Sequence, residues 1–217
     1  SFVRLTERHK EPDNLIIYFY AILAYTCMYA ANWGLFEATV IQQDQSLMGA
    51  RISASSINKM KLFICNMLAA YTCHIVSVIL LFIYMKFVLN IKFGEDLFYL
   101  LAVCFIGSLT GLTFGATTGF WVKKKAEVKE AIMIAVTLIC SFLSGMMSVD
   151  MKYYVSEKFP LLAYINPANL ITDAMYSLYY FDGYKRYFID LLFLIVIAAV
   201  FVAASYLGIR RKKYDSI

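Results

Sequence analysis

Few side chains in this 217-residue chain combine a reactive type with a spacing that chemistry could use. His74, in "YTCHIVS", is the one ionisable group near the middle of an apolar run, a position that marks a functional candidate by default. Neutral imidazole is the mildest such group, so His74 is either functional or a satisfied packing contact. His9 is the only other histidine, and no set of cysteines, histidines and carboxylates has metal-ligand spacing, so no metal is expected. The five cysteines (27, 65, 73, 104 and 140) all lie inside apolar runs and read as small apolar residues rather than a disulfide framework. Hydrolytic signatures are missing: there is no GxxxxGK[ST], HExxH, GxSxG or CxxC. An intramembrane aspartyl protease would need two mid-span carboxylates, and Asp190 lies near the end of its run without a companion. The chain is not expected to be an enzyme, nor to bind a cofactor itself.

Two patterns of small and weakly polar residues remain. Thr137, Ser141 and Ser144 recur at i, i+4 and i+7, with Met133 and Cys140 beside them. This mildly polar helical face either lines an accessible cavity or packs as a small-residue face. The run "GSLTGLTFGATTG" places Gly107, Gly111, Gly115 and Gly119 at strict four-residue intervals. In water each would cost a helix about 1 kcal/mol relative to alanine. In lipid, where helices associate through close backbone approach, the same row makes a groove suited to a right-handed crossing. Tight packing within one bundle is the plainer use of that groove, and a sliding surface in a protein that changes shape is the other. Ser108, Thr110, Thr113, Thr117 and Thr118 add hydroxyls able to bond to nearby backbone.

Composition decides the solvent. The chain is 61% hydrophobic and 16% charged, against about a quarter charged in soluble domains, and its mean hydropathy is +0.66. It reads as an all-α, polytopic membrane protein. Five runs, 15–35, 62–89, 97–122, 131–147 and 187–209, approach the length needed to cross about 30 Å of hydrocarbon as helices. The fourth is the shortest. Connections after the first and third runs, with the carboxyl tail, hold eleven basic and five acidic residues; the opposite side holds nine and ten. The positive-inside rule then puts the carboxyl terminus in the cytoplasm, with Trp33 and Trp121 as interfacial anchors there. The net charge of +5 sits in short clusters that orient membrane segments and implies no nucleic acid.

The resulting organisation is an extracellular lead-in over 1–14, a transmembrane domain over 15–213, and a cytoplasmic tail over 214–217. An outside amino end without an export signal leads to the expectation that at least one membrane helix precedes it. Within 148–186, on the outer side, "INPANLITDAMYSLYY" has a helix start, with Asn166 as cap and Pro167 at the first position. Ala168, Ile171, Ala174, Met175 and Leu178 follow at helical spacing, amid a tyrosine collection typical of an interface. A short helix at, or dipping into, the outer surface is expected. On the other side, Ser55 or Ser56 is expected to cap a short polar helix starting near Ile57.

That cytoplasmic connection, "LMGARISASSINKMKLFICNML" (47–68), resembles the stretch after the second helix of type-2 ABC exporter permeases. The pattern there is Gly-Thr-Leu-x-Arg, a Ser-Pro pair, and a polar helix leading to Gly-Lys. Arg51 matches the arginine and Ser55 the serine; Ser56 stands for the proline, Leu47-Met48 for Gly-Thr and Cys65-Asn66 for Gly-Lys. The run "INPANLITDAMYSLYYFDGY" is similar to the proline-led outer helix of bacterial members. The resemblance implies helices two to six of a six-helix permease half in the plasma membrane, paired with a second half as homo- or heterodimer. It also implies a cytoplasmic ATP-binding cassette subunit, which would hold ATP and Mg. Region 36–61 becomes the coupling region, with Glu37, Arg51, Ser55, Ser56 and Lys59 toward the ATPase. The first and fourth runs become the substrate walls, at Asn32, Met133, Thr137, Ser141 and Ser144. The rival is a non-transporting sensor or assembly scaffold that uses the outer helix to bind a ligand or partner.

Overall fold

The computed structural model describes residues 14–55, 57–91, 93, 96–147, 149–180 and 183–214. The lead-in lies, apart from Asn14, outside them, as do Ser56 and the end of the tail. The described residues form α1 (Asn14–Val40), α2 (Leu47–Ala54), α3 (Lys59–Phe87), α4 (Leu97–Trp121), α5 (Ala126–Leu143), α6 (Val149–Lys158), α7 (Pro160–Ile165), α8 (Pro167–Tyr180) and α9 (Lys185–Tyr214), with no strand among them. Three are long and apolar enough to cross a membrane: α3, α4 and, over Lys185–Arg211, α9.

The glycine row explains the centre of the bundle. Alpha-helix α4 lies against α1 so closely that a Cβ on Gly115 would run into the Ala31 carbonyl. One on Gly111 would stand 2.8 Å from Cys27 O, and one on Gly119 would stand 2.6 Å from the Ala38 Cβ. The partner helix answers in kind: Gly34 faces the Leu112 carbonyl, so Cys27, Ala31, Gly34 and Ala38 form a complementary small-residue row on α1. Such contact trades side-chain volume for backbone dispersion, which drives association where lipid removes the hydrophobic term. Gly107, at the far end of the row, abuts the Ile171 side chain of α8 instead.

The other side of α4 is made by its hydroxyls. Thr110, Thr113 and Thr117 each donate to the carbonyl four residues back, which satisfies them without water. The Thr117 hydroxyl shares its one proton between that carbonyl and Phe201 O (2.9 Å), and lies 3.0 Å from Ser205 Oγ on α9. Trp121 Nε1 donates to Ala204 O of the same helix (3.0 Å). Thus α4 is held by glycines toward α1 and by threonines toward α9. Outward surfaces of α3 and α9 carry Leu80, Ile83, Phe87, Leu192, Val196 and Val200, all exposed and apolar.

The fourth run differs from expectation. It forms α5 over 126–143 rather than 131–147. Its end is set by Gly145 at φ 102°, in the left-handed region glycine favours. Met146 N–H bonds to Ser141 O and Gly145 N–H to Phe142 O, the paired pattern that closes a Schellman stop. Glu127, Lys129 and Glu130 occupy its start, so the apolar part, 131–143, rises only about 20 Å. The remaining depth is filled from the chain's return. After α6 and α7, Asn166 caps α8 as expected, accepting Ala168 N–H at 3.0 Å, with Pro167 at the first position. Ala168, Ile171, Ala174 and Met175 are fully buried among α1, α4 and α9, so α8 dips into the bundle.

Candidate functional site

The carboxyl ends of α1, α4 and α9 and the amino ends of α3 and α5 gather at one end of the bundle, with α2 lying on them. Ala38, Ile41, Ile52, Phe63, Ala116, Phe120 and Ile209 form its apolar floor. The helix α2 begins earlier than expected. Its cap is Ser46, whose Oγ accepts Gly49 N–H (2.8 Å) and donates to Val40 O (2.6 Å); Ser56 lies outside the described residues. Ser55 closes the other terminus, its hydroxyl donating to Ile52 O at 2.8 Å. The helix after it starts at Lys59 and is capped by Asn58 Oδ1, which accepts from Met60 and Lys61 N–H. The physical reason is that Ser46 follows a turn folded back on the end of α1, which leaves its oxygen free to face the first amides of α2.

Two faces of α2 follow. Gly49 and Ile52 are buried, and a Cβ on Gly49 would collide with the Gln42 carbonyl, so α2 is seated directly on the end of α1. Leu47, 85% exposed, and Met48 point away, as does Arg51, which makes no ion pair among the described residues. Glu37 does not pair with Arg51; it accepts Asn66 Nδ2 at 2.9 Å, tying α1 to α3. Beside it, Gln42 Nε2 donates to Ala38 O (2.7 Å) and Gly119 O (3.0 Å), and the buried Lys129 ammonium donates to Gly119 O (2.8 Å). Neither Gln42 nor Lys129 was singled out by sequence. Lys129 had a signal: it extends the buried 133–137–141 row of α5 by one turn. Gln42 had none, because its role depends on a carbonyl 77 positions away.

The proposed substrate wall is tightly packed here. Met133 sits against Ala31 and Leu35 of α1, and Thr137, Ser141 and Ser144 are buried. Thr137 donates to Met133 O and Ser144 to Ser141 O, while Ser141 Oγ has no partner among the described residues. Asn32, half-buried on α1, donates to Tyr29 O at 3.2 Å, and its buried Oδ1 has no partner among them. His74 is buried on α3, reaching the Thr26 backbone of α1, and its Nε2 likewise has no partner among the described residues. Cys27 and Cys104 bury their thiols together, and all five cysteines are free. No metal-holding group of side chains occurs among the described residues.

The opposite end holds a charge cluster that sequence spacing did not reveal. Lys152 of α6 pairs with Asp173 of α8 at 2.7 Å and lies over the Tyr176 ring at 4.2 Å. Asp173 also accepts Asn169 Nδ2 (3.0 Å) and lies 3.9 Å from Arg186, which in turn lies 4.0 Å from Asp190 on α9. Burial pushes the Lys152 amine below the usual lysine range, against the pull of Asp173.

Long apolar helices packed on one another through glycine and threonine define an all-helical membrane bundle. The sequence model of the family described as ABC-2 family transporter protein matches residues 3–207, and the chain belongs to that family, the permease component of ABC transporters. No curated protein and no solved structure matches it.

Proposed function

We propose that this chain is the membrane-spanning half of an ATP-driven exporter in the plasma membrane, with α2 as its contact to a cytoplasmic ATP-binding subunit. The family membership supports the class, and one observation carries the contact: α2 is fastened by Ser46 and Gly49 to the end of α1 while Leu47, Met48 and Arg51 face outward. A rigidly seated helix with an apolar and basic outer face suits a soluble partner. On this reading α1 and α5 complete five spans with α3, α4 and α9, and the basic α2 end lies in the cytoplasm. ATP and Mg belong to the partner. A second permease half completes the path, which alternates access as ATP binding biases the two states. Because α5 lies packed on α1, the path opens where that contact loosens, along Asn32, Met133, Thr137, Ser141 and Ser144.

The test is assembly. Arg51→Glu and Leu47→Asp change only the outward face of α2. Both variants should insert and express normally yet co-purify with less of the ATP-binding subunit in mild detergent. Wild-type recovery of that subunit with both variants would remove α2 from the contact. A full-length protein that brings down no ATPase under any condition would favour the sensor or scaffold.

A further inference from the structure

The node formed by Gln42, Gly119 and Lys129 has a geometry that plain packing does not require. Val122 closes the last intrahelical bond of α4 on Thr118 O, which leaves the Gly119 carbonyl for side chains to meet. Two reach it from different sides: Gln42, in the turn just past α1, and Lys129, at the end of the first turn of α5. Gly119 lacks the Cβ that would push α1 away at Ala38, so its carbonyl stays within their reach. A cation at a helix carboxyl end is electrostatically favoured. A lysine left 1% exposed to reach that carbonyl nonetheless carries a desolvation cost that an apolar residue would avoid.

Gln42 also touches α2 through its own backbone. Its carbonyl accepts Gln45 and Ser46 N–H, both at 3.2 Å, and Gly49 rests directly on it. A displacement of α2 therefore moves the Gln42 backbone, and the side chain of the same residue holds the end of α4. Both amide hydrogens of Gln42 point at carbonyls, which fixes its orientation and leaves Oε1 buried without a partner among the described residues. An incompletely satisfied polar node is easier to rearrange than a saturated one.

We propose that Gln42 and Lys129 are positioning residues that carry movement of α2 to the ends of α4 and α5. They join the seat of α2 to the end of α4 and to α5, the helix whose contact with α1 loosens as the path opens. The inference rests on the exporter reading, and its test separates the two. Hydrogen exchange is measured by mass spectrometry on the whole permease–ATPase complex, without nucleotide and trapped with ATP and vanadate. In the wild type, exchange should change both in α2 (46–55) and at the α4–α5 junction (119–130). In Gln42→Met and Lys129→Met the change in α2 should persist while the change at the junction is lost, and Lys129→Arg should restore it. A merely structural role would lower thermal stability but leave the two responses joined. An undiminished junction response in both methionine variants overturns the proposal, as does a wild-type response confined to α2. If nucleotide changes nothing in α2 itself, the exporter reading falls and the proposal falls with it.

Discussion

At the scale of single residues the structure concentrates its charge where neither helix propensity nor hydropathy would place it. Asp173 gathers Lys152, Asn169 and Arg186 within one buried corner and so fixes α6 and α9 to α8. Removing one partner of a buried pair leaves the other charge uncompensated, at a cost of about 3–5 kcal/mol, whereas replacing both with apolar residues is often neutral. Asp173→Ala should therefore lower the unfolding transition in detergent by that order. The double variant Lys152→Met, Asp173→Leu should regain most of the loss, since Asn169 keeps Ala163 O and Arg186 keeps Asp190. A double variant no more stable than Asp173→Ala would show that the pair's charge is not the cause. Only the i,i+4 pair Arg186 and Asp190 was legible in the sequence; Lys152 and Asp173 come from two other helices and meet them only in the fold.

Among elements, what was legible and what was not divides along local against long-range physics. The cap at Asn166, the proline at 167 and the buried periodicity of α8 are encoded within a few residues, and they appear as read. The four glycines marked α4 as a close-packing helix, while the matching row on α1 went unread because its cysteine and alanines look like ordinary span residues. The boundaries of α5 were misplaced at both ends: hydropathy ran past Gly145, which only backbone geometry shows to be a stop. Ser55 looked like a cap for a helix start by type, but it closes the end of α2, and Ser46 had the turn that places an oxygen at its start. The close contact of α1 and α4 makes a sharp prediction. Gly115→Ala places a methyl against backbone that cannot yield, so it should destabilise the protein by about 1–3 kcal/mol. Gly183→Ala, with nothing within 4 Å of the added carbon, should stay within about 0.5 kcal/mol of wild type. Equal thermal stability for the two variants would mean that α1 and α4 do not meet as described.

On the scale of the whole molecule, the α2 end and the α8 end are both fastened by polar contacts, and α1 runs between them as the common partner. Its small-residue row meets α4, its exposed Tyr29, Trp33 and Phe36 face outward, and its last turn supports α2. In the exporter reading this shared helix is what would tie movement at one end of the bundle to the other. If the chain is half of an exporter as proposed, the working unit contains two permease halves and a pair of ATP-binding subunits. Native mass spectrometry of the full-length protein, purified from its own membrane in mild detergent, tests this most directly. The account predicts an assembly whose mass accommodates two membrane halves and two nucleotide-binding subunits, and which loses the latter in Arg51→Glu. A stable assembly of the membrane chain alone, or one joined only to a non-nucleotide-binding partner, would contradict it.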